Sequence, residues 1–213
     1  EIYNLKGDKV MSKQVYISAD YSEDDGDRSV VDTLNIWGND NLHKVDFIDM
    51  SKVASGSVSK NPDCRPCDLK KEFNSQINAS SAVIFVVGDK TASRTAGSSC
   101  SKANNSQIFN TCTPYKQNTN GYKNCKNFSN SYYVDDSDIN EINSYSYLRH
   151  EFEQAKKRNK EIIIVYNSTR NESNWLPSYM KGYESYAMPF WKIDSYGRKV
   201  GNYNKIKEVL GYE

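Results

Sequence analysis

The chain is 213 residues long, enough for one domain with a sizeable core. Its 28 Lys and Arg against 27 Asp and Glu leave a formal net charge of +1, which removes the electrostatic case for a nucleic-acid or membrane partner. Its apolar residues gather in short runs, and the longest, 82–87 and 162–166, fall far short of the roughly 20 residues a spanning helix needs.

Residues 1–14 are charged and have no apolar central run, so no signal peptide and a cytoplasmic compartment are expected. Met11-Ser12-Lys13 reads like a start context. The expectation is that 1–10 is upstream or vector-derived sequence, that 1–13 is an N-terminal extension, and that 14–213 is a single domain. Residues 14–18 (QVYIS) form a first strand that opens into the acidic loop from Ala19 to Asp27. Val30, Val31, Leu34 and Trp37 then have helical spacing over 28–37. A second strand is expected at 45–48, a Ser/Gly/Pro-rich loop at 51–65, and an amphipathic helix at 68–77, where Leu69, Phe73 and Ile77 recur every four residues.

Residues 81–88 (SAVIFVVG) are the most hydrophobic strand, and an unbroken apolar run of this kind belongs at the centre of a parallel sheet. A long polar stretch follows at 90–144, read as an insertion that forms a lid or rim, because a structureless loop of this length is unusual inside a compact domain. Residues 147–157 form a helix with Leu148, Phe152 and Ala155 on one face, and 161–166 (EIIIVY) form a second strand buried on both faces. A short helix or turn is expected at 175–182, an edge strand at 186–191 because Pro189 cannot donate to a central ladder, and a closing helix at 203–210. About five alternations of strand and helix predict an α/β, flavodoxin-like, doubly wound and mostly parallel five-stranded sheet in the order 2-1-3-4-5.

In such a sheet ligands bind beyond the carboxyl ends of the strands, where Ser18, Asp20 and Tyr21 fall. An ordinary polar loop explains the same residues. Glu151 lies three residues after Leu148, at the margin of the apolar stripe and near the helix end that faces the same edge. A carboxylate there is either aimed into the crevice or simply solvated and favourable to the helix dipole.

Taken together, Tyr16-Ile17-Ser18 followed by Ser22-Glu23-Asp24-Asp25 resembles the first-strand box of TIR domains. Leu148-Arg149-His150-Glu151, followed by the strand 162–165, resembles the helix that carries the catalytic Glu in NAD-cleaving TIR domains. The likeness is nearest to the TIR-like subunits of bacterial Thoeris anti-phage defence systems and covers roughly 14–93 and 145–191. It departs at Ala19, where the family often has an aromatic, and at Tyr147, the nearest match to a Trp common before the Glu.

The resemblance implies a catalytic Glu151, with Ser18, Asp20, Tyr21 and Tyr147 around the dinucleotide. It also implies NAD as substrate with no cofactor required for catalysis, nicotinamide and an ADP-ribose-derived signal as products, a downstream effector reached by that signal, and self-assembly through TIR-type surfaces. The alternatives are a non-catalytic TIR-type interaction module and a flavodoxin-like nucleotide-sensing domain.

Five cysteines, an odd number, argue against a disulfide framework. Cys64 and Cys67 have the spacing of half a zinc site, which Cys100, Cys112 or Cys125 would complete, while a disulfide and free thiols remain open. No Gly-x-Gly-x-x-Gly or Walker loop is present, so a nucleotide would be held by other means.

Overall fold

The computed structural model describes residues 13–19, 27–39, 45–49, 65–94 and 146–211. Five strands form one sheet, β1 (Lys13–Ser18), β2 (Val45–Asp49), β3 (Ala82–Val87), β4 (Glu161–Tyr166) and β5 (Ala187–Pro189), in the order β2-β1-β3-β4-β5. Every pairing in it is parallel, as the alternation of strand and helix predicts. All six residues of β3 are buried, because its apolar run faces helices on both sides.

The strand alternation sorts the core into two layers. Val15 and Ile17 of β1 and Ile84 and Val86 of β3 point to one face. There they meet Val30, Val31 and Leu34 of α1 (Asp27–Gly38) and Ile206 of the closing α4 (Tyr203–Val209). Tyr16 of β1 and Val83, Phe85 and Val87 of β3 point to the other. They meet Leu69, Phe73 and Ile77 of α2 (Arg65–Ala79) and Leu148, Phe152 and Ala155 of α3 (Tyr147–Lys157). The chain therefore changes face between α1 and α2, and the crevice of the sheet lies at the carboxyl ends of β1 and β3.

Two elements differ from the sequence reading. Helix α2 begins at Arg65 rather than at 68, with Pro66 in its first turn, where its missing N–H costs nothing. The single edge strand expected over 186–191 is broken. Only Ala187–Pro189 pairs with β4. The chain then leaves the sheet, Phe190 and Trp191 still donating backbone bonds to Tyr166 and Ser168 at 2.9 and 3.1 Å. From Trp191 it enters an antiparallel ribbon, β6 (Trp191–Ile193) with β7 (Lys199–Gly201). The turn that joins these two strands has a local cause: Asp194 accepts from the backbone N–H groups of Tyr196 and Arg198, both at 2.9 Å, and Gly197 takes φ 77°. The short helix or turn expected over 175–182 is met by 3-10 turns at Ser173–Trp175 and Ser178–Met180, on either side of Pro177. Of the insertion expected at 90–144, only its start, with a 3-10 turn at Thr91–Ser93, is among the described residues. The chain is described again from Ser146, the N-cap of α3.

On the α1 face, the carboxyl edge is tied by a chain of side chains. The Trp191 indole donates to Asn167 Oδ1 at 2.7 Å, and Asn167 Nδ2 donates to the buried Asp27 at 3.1 Å. Gly88, just past β3, makes room for that carboxylate: a Cβ there would lie 2.6 Å from Asp27 Oδ1. Gly88→Ala should therefore push Asp27 off Asn167 and destabilise the fold by about 1–3 kcal/mol, as overpacking does. Urea unfolding measures this, and an unchanged midpoint would show that the edge yields freely.

Candidate functional site

Helix α3 starts cleanly because the Ser146 hydroxyl accepts the backbone N–H of Arg149 at 3.0 Å. From that start, Leu148, Phe152 and Ala155 pack on the sheet, with Phe152 edge-on to Phe85 at 5.3 Å. Glu151 precedes Phe152 and is carried inward with it. It is 4 % exposed, so its place is under the helix rather than on a wetted flank. The partly solvated carboxylate that the margin of the stripe suggests is thus replaced by a buried one.

The residues that receive it come from β1. Side chains two apart on a strand share a face, so Tyr16 and Ser18 both point toward α3. Both are fully buried. The Tyr16 hydroxyl donates to Glu151 Oε1 and the Ser18 hydroxyl to Oε2. Each carboxylate oxygen thus has its own donor, delivered from 135 and 133 residues away in sequence. Burial pushes the Glu151 carboxyl up to about 7, while the bonds from Ser18 and Tyr16 pull in the opposite direction. Desolvating a carboxylate costs several kcal/mol, and each bond to the charged form returns about 1.5–3 kcal/mol, so burial wins by a margin that leaves the group poised near neutrality.

Aromatic residues frame the pair. Tyr179, in the turn after Pro177, lies with its hydroxyl 3.5 Å from Ser146 Oγ. Burial pushes Tyr179 up to about 12; the Glu151 charge adds to this, and the Ser146 bond and Arg149 oppose it. The Arg149 guanidinium sits 5.8 Å from the Tyr179 ring centroid, and Phe152 contacts both Tyr179 and Tyr183, at 6.0 and 5.1 Å. His150 is turned to α2, where its Nε2 lies 3.0 Å from Asn74 Oδ1.

Of the residues expected at the site, Ser18 and Glu151 are brought together. Tyr147 lies one helical turn before Glu151 with its ring edge-on to Phe73 of α2, 5.6 Å between centroids. Asp20, Tyr21, Cys64, Cys100 and Cys112 lie outside the described residues, as does the side chain of Cys67. Among the described residues no group of three or more His, Cys, Asp or Glu has the geometry to hold a metal ion, and no helix is long and apolar enough to cross a membrane. Sequence reasoning missed Tyr16 and Tyr179. The first was legible in principle, since it stands two residues before Ser18 and so shares its face; the second lies in an irregular segment with no periodicity to reveal it.

No protein-family model matches the chain, and no curated protein matches it.

The raised carboxyl has a consequence for stability. Folded, Glu151 holds its proton up to about pH 7, against about 4.5 for an ordinary Glu. Between those values the folded state binds more protons than the unfolded, so stability contributed by the protonated group is fully present below about 4.5 and lost as pH rises through about 7. The loss amounts to about 3 kcal/mol. Glu151→Gln, which stays neutral and still hydrogen-bonds both hydroxyls, should match the wild type near pH 4 and exceed it by about 1–3 kcal/mol near pH 8. Denaturant unfolding across pH measures the difference, and parallel curves for the two proteins would mean that Glu151 titrates normally.

Proposed function

We propose that the chain is a TIR-like NAD-cleaving enzyme that releases nicotinamide and an ADP-ribose-derived signal, with Glu151 as the catalytic carboxylate. The observation that carries this reading is the Glu151 carboxylate held on two hydroxyl donors at the carboxyl end of β1, beside the crevice of a doubly wound sheet. A ribose diol presents the same kind of donor as Ser18 and Tyr16, so a substrate hydroxyl can take over one carboxylate oxygen without new chemistry at the site. Cleavage breaks the bond between ribose C1′ and the nicotinamide nitrogen. The electron pair leaves with nicotinamide, which departs neutral and needs no general acid. The positive charge left on the ribose is stabilised by the Glu151 carboxylate until water, or a hydroxyl of the same nucleotide, adds to C1′ and gives up a proton.

The resemblance to Thoeris subunits supports a role for the product in anti-phage defence, with a downstream effector as its receiver. It also supports the finer reading of the fold as TIR-like, with assembly through TIR-type surfaces. The 90–144 insertion, which the resemblance does not cover, is read from its place between β3 and α3 as a rim or lid of the crevice. A structural zinc on Cys64, Cys67, Cys100 and Cys112 would tie that rim to the domain.

The burial of Glu151 favours one other reading, the non-catalytic interaction module, in which the Tyr16–Glu151–Ser18 cluster only fixes the packing of α3 on β1. Incubation of concentrated protein with NAD, with nicotinamide followed by chromatography, separates the two. The enzyme reading predicts release by the wild type and a loss of about a hundredfold or more in folded Glu151→Gln. Equal activity in the two proteins would assign catalysis to another residue, and a self-associating wild type that leaves NAD intact would favour the module.

A further inference from the structure

A phenylalanine at position 16 would fill the same buried volume against the same neighbours. Tyr16 is fully buried, and a buried hydroxyl without a partner is costly. Its partner is Glu151 Oε1, on an element that joins the fold 135 residues later. The hydroxyl is thus the one part of Tyr16 that packing does not require. We propose that Tyr16 is a positioning residue of the site: its O–H holds Oε1 of Glu151, fixes the orientation of the carboxylate and favours its ionised form. The proposal rests on the reading of Glu151 as the reacting group and extends it to a residue that touches no substrate.

The groups around the carboxylate allow this role to be isolated. From β1 it meets Tyr16 and Ser18. From the turn after Pro177 it faces Tyr179, which is uncharged through the working range because burial pushes it up to about 12. On its own helix, Arg149 lies against the Tyr179 ring and His150 is bonded to Asn74 of α2. The two hydroxyls of β1 are therefore the direct donors to the carboxylate among the described residues, and Ser18 remains on Oε2 when Tyr16 loses its own.

The test is Tyr16→Phe, read by a carbon-13 NMR titration of the Glu151 side chain and, in parallel, by the pH profile of nicotinamide release. Losing one bond to a charged group should move the Glu151 titration upward by about one pH unit. The acid limb of the rate profile should follow, so that the rate near pH 6 falls about tenfold while the rate near pH 9 is retained. In the Glu151→Gln background the Tyr16→Phe change should leave the profile of any residual activity unmoved. A Glu151 titration that does not move on Tyr16→Phe, or a rate lowered equally at every pH, would overturn the proposal and leave Tyr16 a packing residue. A moved titration in a protein that releases no nicotinamide would instead remove the NAD reading while leaving the hold of Tyr16 on Glu151 in place. Should Tyr16→Phe fail to fold, 3-fluorotyrosine at position 16 keeps the shape with a more acidic hydroxyl and should move the titration downward; an unmoved titration there overturns the proposal equally.

Discussion

A carboxylate buried under a helix must find donors or become neutral, and Glu151 does part of each. Water is excluded from it, two hydroxyls of β1 replace that water, and the balance leaves it near half-ionised at neutral pH. This one contact constrains much else. Helix α3 must dock over β1 in the register that brings Glu151 to Tyr16 and Ser18, because a slip of one residue on the strand would turn both hydroxyls to the opposite face. The docking in turn relies on the Ser146 cap that starts α3 and on Phe152, which anchors the helix on Phe85 of β3. The apolar layer holds the helix, and the polar contact sets its rotation and height.

The carboxyl edge carries two polar clusters, one on each face. Asp27, Asn167 and Trp191 link the start of α1 to the end of β4 and the start of β6. Glu151, Tyr16 and Ser18 link α3 to β1. The first depends on Gly88, whose lack of a side chain makes room for the Asp27 carboxylate. The second carries a group whose ionisation opposes folding, a cost in stability of the kind that reactive sites commonly carry.

The fold was legible because its signals are local and strong. The runs at 82–87 and 161–166 have no polar interruption that would suit an exposed strand, and Leu148, Phe152 and Ala155 leave only one face for α3 to bury. The ribbon of β6 and β7 was not, because its strands are three residues each and its signal is a turn, Asp194 to Gly197, rather than a periodicity. For the site, Glu151 and Ser18 were legible from their places at the carboxyl edge. The depth of Glu151 was not, since helical spacing puts it at the margin of the stripe and only the covering of that margin by β1 and Tyr179 decides that it is buried. Tyr16 was hidden by its surroundings: in a run of apolar strand residues a tyrosine reads as another ring for the core, and its hydroxyl acquires meaning only when α3 is seen opposite.

The central claim is that the Glu151 carboxylate is the group a dinucleotide meets at this edge. A crystal structure of the wild type with a carbocyclic NAD analogue, which cannot lose nicotinamide, tests it most directly. The account predicts a ring hydroxyl next to the nicotinamide-bearing carbon within about 3 Å of Glu151, taking the place of the Ser18 hydroxyl on Oε2 while Tyr16 keeps Oε1. An analogue bound away from β1 and α3, with Glu151 still closed on both hydroxyls, would contradict it.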